Sequence, residues 1–351
     1  MLAGPAARAP SALKRGLEWV EGPVVTSIVD QYRIISTAAG WIDRSGRGRL
    51  QFSGADARSF LQGLLTNDVS ALTSGRAVYA AYLTPQGRMV ADITLIEHGG
   101  DIIGLVADGQ GAALATRFDL LIFTEAVTVT DASGEFAEIE IIGGDAASIV
   151  ATAMGTTPES VAALANLGRV DTPGGLVLRD DAAPFPTFRL LVAPDARDRI
   201  VAAVEAAGAI GMSEEMATAL RIEAGRGAWG HDLGEDVIPL EAGLLDRAVS
   251  TSKGCYVGQE IVIRILHRGG GRVAKRLVTM DFDPSLAEAP TPKAELASGD
   301  AVVGHLTSVA FSPARGAFVA LGYLRREAAE VGREVTVAGT DATARVTGFA
   351  S

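Results

Sequence analysis

Apolar and polar residues alternate through residues 48–54 (GRLQFSG), the pattern of a strand with one buried face. Over residues 55–72 the apolar positions Phe60, Leu61, Leu64 and Leu65 fall at helical spacing instead. Residues 77–84 and 88–98 are strand-like, and the Pro85–Gly87 turn between them makes the pair a hairpin. A further strand is expected over 101–108, a helix over 109–123 and a strand over 126–131. This order predicts an α+β layer with its helices on one face.

A similar unit follows. Residues 136–143 and 187–193 read as strands and 194–209 as a helix. A second helix is expected over 213–226, with Ser213 as its cap, Glu214 and Glu215 in its first turn and Gly225 at its end. After Lys275 the texture changes to short strand-like runs separated by Gly, Pro and Asp. That predicts a small antiparallel β-barrel, with an exposed loop over 285–296.

Composition narrows the function classes. Hydrophobic residues make up 48% and charged residues 21% of 351, enough apolar material for two or three cores. The net charge of −11 argues against a general nucleic-acid binder. No stretch has the ~18 apolar residues a membrane helix needs. One cysteine, Cys255, and four scattered histidines give no metal-ligand spacing, and the cysteine usage fits a reducing, cytoplasmic compartment. Residues 1–30 read as an N-terminal extension without the apolar block of a signal peptide.

Four stretches hold the candidate chemistry. Asn67 and Asp68 follow an apolar helix end, where such residues either form turns or line a site. Asp92 is a carboxylate within an apolar strand, facing either solvent or a buried partner. Glu223 precedes three glycines in six residues, a density that lets backbone approach a ligand closely. There a carboxylate either lies in water or pairs with an amidine-like edge through two parallel hydrogen bonds. From Lys253 to Leu277 there are six Lys/Arg against one acid, Glu260, a local +5. Cys255 lies in this run; a neighbouring cation favours its thiolate, while an inert core thiol is the other reading.

Residues 30–72 and 79–93, together with LRIEAGRGAWGHDL and IPLEAGL, resemble the glycine-cleavage T-protein (aminomethyltransferase) superfamily. The run KGCYVGQE, Lys253–Glu260, resembles the signature of its YgfZ-type folate-binding branch. That resemblance implies an α+β, T-protein-like fold: two α/β sandwich units around a central folate cavity, plus a C-terminal antiparallel β-barrel. The expected divisions are 31–135, completed by 220–272; 136–219; and 273–351. It implies tetrahydrofolate as cofactor. Glu223 would hold the pterin edge, Asp92 would lie near the reactive nitrogens, and Asn67 and Asp68 would line the cavity. Lys253, Cys255, Tyr256, Gln259 and Glu260 would form a loop beside it, with Cys255, Lys253 and Asp92 the reactive groups. Where T-proteins place two adjacent acids, this chain has Ala91 before Asp92. The implied function is assistance to iron–sulfur proteins, including tRNA-modifying enzymes, through Cys255. The alternative is aminomethyl or methyl transfer to tetrahydrofolate. The expected partners are folate and iron–sulfur client proteins, with no direct nucleic acid, no membrane and a monomeric state.

Overall fold

The computed structural model describes residues 27–351, so all but residues 27–30 of the extension expected over 1–30 lies outside the described residues. Two sheets and a barrel account for the strands. The first sheet has five antiparallel strands in the order Val78–Leu83, Met89–His98, Asp101–Asp108, Arg47–Ser53, Thr128–Asp131. Helices Ala57–Leu64 and Gly111–Asp119 cover one face. Phe60, Leu61, Leu114 and Phe118 bury there against Phe52, Ile93 and Leu95, and the Phe118 ring meets that of Phe52 edge-on at 5.3 Å. Period-two alternation decides where the acid of this sheet points. Ala91, Ile93 and Leu95 face the helices, so Asp92, Thr94 and Ile96 face the other way.

The second sheet has six strands in the order Ala209–Gly211, Ala39–Asp43, Ala137–Ile142, Thr187–Val192, Gly175–Arg179, Arg169–Thr172. Helices Ala146–Met154 and Arg197–Ala206 cover its outer face. Its inner face packs on the first sheet through Ile96, Ile103 and Leu105 against Leu176, Leu178 and Leu191. The helix Ile28–Thr37 precedes the strand Ala39–Asp43, which pairs with Ala137–Ile142. The strand Ala39–Asp43 therefore belongs to the second sheet, whereas the sequence reading counted residues 31–135 as the first unit. The reason is tertiary: Trp41, Ile42 and Asp43 find their ladder partners about a hundred residues later.

The barrel is closed by six strands: Lys275–Phe282, Ala317–Arg325, Ala301–Ser312, Glu295–Ser298, Glu334–Val337 and Thr343–Phe349. Closure removes the exposed edges of these short strands. Helix Glu214–Glu223, capped by Ser213 as the sequence predicts, packs Leu220 and Ile222 into a shared core with Val319 and Leu321 of the barrel. The segment after this helix fills the junction of all three bodies. Its buried Asp232 accepts from Arg221 Nη1 at 2.6 Å, Ser308 Oγ at 2.8 Å and the Ala228 N–H at 3.0 Å. A helix follows over Gln259–His267, and of its residues only Val262 is buried. Among the described residues no helix is long and apolar enough to cross a membrane.

Candidate functional site

A cavity of about 380 Å³ opens between the two sheets and the junction segment. Tyr79, Asp92 and Thr94 line it from the first sheet, Thr187 and Arg189 from the second, and Arg221, Arg226, Trp229 and Arg247 from the junction. The two sheets are joined beside it by a carboxylate with three guanidinium partners. Buried Glu138 accepts from Arg47 Nη1 at 2.6 Å, Arg49 Nη2 at 3.0 Å and Arg189 Nε at 2.8 Å. Burial alone would raise its pKa, but the three cations, led by Arg189, hold it down at about 2.

Asp92 is the one carboxylate of the first sheet's inner face that sits deep in this cavity. Its Oδ2 accepts from the Tyr79 hydroxyl at 3.1 Å. Burial pushes the Asp92 carboxyl up, against the downward pull of the Tyr79 hydrogen bond and of Arg247 and Arg47. Burial also pushes Tyr79 well above its ordinary value, and the Asp92 charge adds to that. The Arg247 guanidinium stacks on the Tyr79 ring, 4.8 Å from its centroid. The site thus offers an acid whose pKa is raised, aromatic surfaces from Tyr79 and Trp229, and guanidinium groups at Arg226 and Arg247. Among the described residues no group of three His, Cys, Asp or Glu side chains is placed to hold a metal ion.

Residues 11–168 match the GCVT N-terminal domain family, and residues 275–349 match the glycine cleavage T-protein C-terminal barrel domain family. This chain carries both domains of the glycine cleavage T-protein superfamily. It is 27% identical to the aminomethyltransferase of Moorella thermoacetica, an alignment covering 91% of this chain and 87% of that protein. It is 27% identical to the aminomethyltransferase of Bacillus subtilis, covering 89% and 86%. Its fold matches the crystal structure of glycine cleavage system aminomethyltransferase T from Bartonella henselae with a TM-score of 0.80 at 18% identity, over 91% of this chain and 88% of that one. The T-protein-like fold expected from the sequence, with its mixed sheets and C-terminal barrel, is the fold observed.

The structure brings only one of the sequence-predicted residues of this superfamily member, Asp92, into the central cavity. Asn67 lies behind it. Its Nδ2 donates to the main-chain oxygens of Tyr79 at 2.8 Å and Arg247 at 3.0 Å, which fixes those two residues relative to each other. Asn67 and Asp68 line a separate cavity of about 410 Å³, and Tyr79 and Arg247 form the wall it shares with the central one. Asp68 is occupied as a cap, accepting from the Ser70 N–H at 3.0 Å and the Ser70 hydroxyl at 2.7 Å.

Glu223 does not line the central cavity. At the end of its helix it faces the barrel, accepts from Ser312 Oγ at 2.6 Å, and lines a third cavity of about 240 Å³ with Asp281 and Arg315. Helical geometry is the reason: Arg221 and Glu223 are two residues apart and point in different directions. Arg221 therefore reaches the central cavity and Glu223 the barrel side.

The Lys253–Glu260 loop also lies outside the lining of the central cavity. Lys253 Nζ donates to the main-chain oxygens of Gln62, Leu65 and Asn67, at 2.7, 2.7 and 2.9 Å. These are carbonyls left over at and just after the end of helix Ala57–Leu64, so this ammonium acts as a C-terminal cap. Burial brings its pKa down to about 8. Tyr256 is buried, its hydroxyl has no hydrogen-bond partner, and burial pushes it up to about 12. Gln259 and Glu260 open the helix that follows. Cys255 is a free, exposed thiol.

Tyr79, Arg226 and Arg247 are the cavity residues that the sequence pattern does not mark. Tyr79 and Arg226 lie within runs that resemble the T-protein superfamily, but nothing in those runs singles out these residues or Arg247.

Proposed function

We propose that this protein binds tetrahydrofolate in the central cavity and acts there on a one-carbon unit, in the manner of the aminomethyltransferases it resembles. The observation that carries this reading is the Tyr79–Asp92 pair, a half-buried acid held by a hydroxyl inside a cavity that Arg226 and Arg247 also line. The donor set suits folate. Asp92 offers oxygens to the donor-rich pterin edge or ring nitrogens, Tyr79 and Trp229 offer flat surfaces, and Arg226 and Arg247 offer guanidinium groups to the glutamate carboxylates. Tetrahydrofolate supplies the nitrogens that carry the one-carbon unit. The chain's part is to orient it, to exclude water and to move one proton. Tyr79 occupies Asp92 Oδ2, which leaves Oδ1 to take or return that proton. Ala91, in the position before Asp92, is buried on the helix side of the sheet, so Asp92 works without an adjacent acid.

The test is a calorimetric titration with 5-formyltetrahydrofolate, followed by turnover with tetrahydrofolate and an aminomethylated lipoyl carrier. Saturable binding that weakens in Arg247→Gln, together with turnover that is lost in Asp92→Asn, supports the reading. Absence of binding by any folate overturns it.

A second reading rests on Cys255. Its thiol is exposed in the KGCYVGQE loop, away from the cavity and within reach of a partner protein. In this reading the folate-bound protein assists iron–sulfur proteins through Cys255, tRNA-modifying enzymes among them. Loss of iron–sulfur enzyme activity in cells carrying Cys255→Ser, with folate binding intact, would favour it over transfer chemistry alone.

A further inference from the structure

The barrel's last strand ends at Phe349, and the chain then runs back into the junction rather than into solvent. Ala350 is buried and its N–H donates to the Leu277 oxygen at 3.0 Å. Two glycines with positive φ make room for it. A Cβ on Gly243 would meet the Ala350 oxygen at 1.9 Å, and one on Gly225 would sit 3.6 Å from Ala350 Cα. This route delivers Ser351 to the guanidinium groups of Arg226 and Arg247. Its main-chain oxygen accepts from Arg226 Nη1 at 2.7 Å and from Arg247 Nη1 at 3.0 Å.

One oxygen thus holds two guanidinium groups that both line the cavity. The other hydrogen bonds of Arg226 also go to a main-chain oxygen, that of Asp181, at 2.9 and 3.2 Å. Arg247 gives its face to Tyr79. The glutamate carboxylates of a folate accept several charge-assisted bonds at once and suit the two guanidinium forks. The hold on residue 351 itself is light. It is exposed, and its N–H reaches the Gly225 oxygen at 3.2 Å.

We infer that Arg226 and Arg247 form a carboxylate clamp shared between the main chain of Ser351 and the glutamate end of a folate, so that the segment after the barrel competes with ligand for the cavity. The inference deepens the folate reading and rests on it. The chemical class selected is a pterin joined to a carboxylate-bearing tail. Affinity for that tail is reduced by the fraction of time the segment holds the clamp. A pterin with no carboxylate does not need the clamp and is indifferent to the segment.

The experiment titrates 5-formyltetrahydrofolate and, separately, 6-methyltetrahydropterin by calorimetry into the wild type, Ser351→Pro, Arg247→Gln and the double variant. Proline at 351 removes the N–H that holds the residue to Gly225. A chain lacking residue 351 onward serves as the second variant if Ser351→Pro does not fold. The expected result is tighter binding of 5-formyltetrahydrofolate by Ser351→Pro, roughly tenfold if the segment holds the clamp nine-tenths of the time. Pterin affinity stays unchanged, and the gain disappears when Arg247→Gln is present. Binding of both ligands with no gain, or with a loss, in the two residue-351 variants overturns the competition and leaves the folate reading standing. Binding of neither ligand to any variant overturns the folate reading and the inference with it.

Discussion

The Tyr79 hydroxyl donates to Asp92 Oδ2 at 3.1 Å across a single hairpin. Tyr79 lies opposite Thr94 in the ladder and Asp92 lies opposite Ala81, so the two residues are diagonal neighbours on one face of the sheet. That face looks into the cavity. Burial raises the Asp92 pKa, and the fold therefore favours its protonated form.

This raised pKa has a definite sign in stability. As pH rises from the ordinary carboxylate value of 3.8 through the raised one, the unfolded chain releases the proton while the folded chain retains it. Stability from this group falls over that window. Asp92→Asn keeps the shape and the acceptor for Tyr79 but removes the ionisable proton. Its melting temperature should exceed that of the wild type at pH 7 and equal it near pH 3. One-carbon transfer should fall on the order of 10²-fold or more, the usual weight of a positioned acid or base. A variant that is less stable than the wild type at pH 7, or that turns over normally, would remove Asp92 from the proposed role.

Glu138 predicts the opposite sign. Its pKa falls from 4.5 to about 2 because Arg189, Arg47 and Arg49 surround the charge. The stability it contributes is present above the unfolded value of 4.5 and is lost as pH falls through about 2. Glu138→Gln should leave Arg49 without a carboxylate partner, with Arg47 and Arg189 keeping only Glu140 and Asp180, and cost about 3–5 kcal/mol at neutral pH. Urea unfolding of both proteins at pH 7 and pH 3 checks this, and the gap between them should narrow at the lower pH.

Much of the fold is legible in the sequence, because its signals are local. Alternation marks the strand Arg47–Ser53, apolar runs mark Val78–Leu83 and Met89–His98, and Pro85 and Gly87 mark the hairpin between them. Ser213 marks a helix start, and the change of texture after Lys275 marks the barrel. The assignment of the strand Ala39–Asp43 is not local, since its partners lie at residues 139–142 and 209–211. The site divides in the same way. Asp92 stands out as an acid in an apolar run. Tyr79 becomes its partner only through strand register, and Arg247 reaches the Tyr79 ring from 168 positions along the chain. Glu223 and Lys253 carry strong sequence signals, but the structure uses one against the barrel and the other as a helix cap.

Gly243 tests how tightly the junction is closed. Its φ is +75°, and an added Cβ would meet the Ala350 oxygen at 1.9 Å. Gly243→Ala combines left-handed strain with a clash against main chain, and it should cost about 3 kcal/mol or more. Gly63, where a Cβ would meet nothing within 4 Å, is the matched control within a helix, and Gly63→Ala should be neutral or stabilising. Equal melting temperatures for the two variants would mean that the 349–351 segment does not lie against Gly243.

Glu223 separates the cavities. Because it faces Ser312 and Arg315 in its own small cavity, Glu223→Gln should leave 5-formyltetrahydrofolate affinity unchanged while Arg247→Gln weakens it. Loss of binding in Glu223→Gln would return Glu223 to the pterin edge and contradict the separation of the two cavities.

Lys253 and Cys255 lie two residues apart and should behave as residues of different kinds. Lys253 Nζ serves three carbonyls around the end of helix Ala57–Leu64. Lys253→Met leaves those acceptors without a donor, and a hydrogen bond to a charged group is worth about 1.5–3 kcal/mol. The variant should unfold at lower urea by that order, and the change should spread to Asn67, whose main-chain oxygen is one of the three. Since Asn67 fixes Tyr79 and Arg247, folate affinity should fall as well. Cys255 is exposed, so Cys255→Ser should change neither stability nor folate affinity, and any phenotype it has must come from the thiol's own chemistry. Denaturant midpoints and calorimetric affinities for the two variants, measured side by side, decide this. A stable, folate-competent Lys253→Met would show that the ammonium is not the cap, and a destabilised Cys255→Ser would show that the thiol is packed rather than presented.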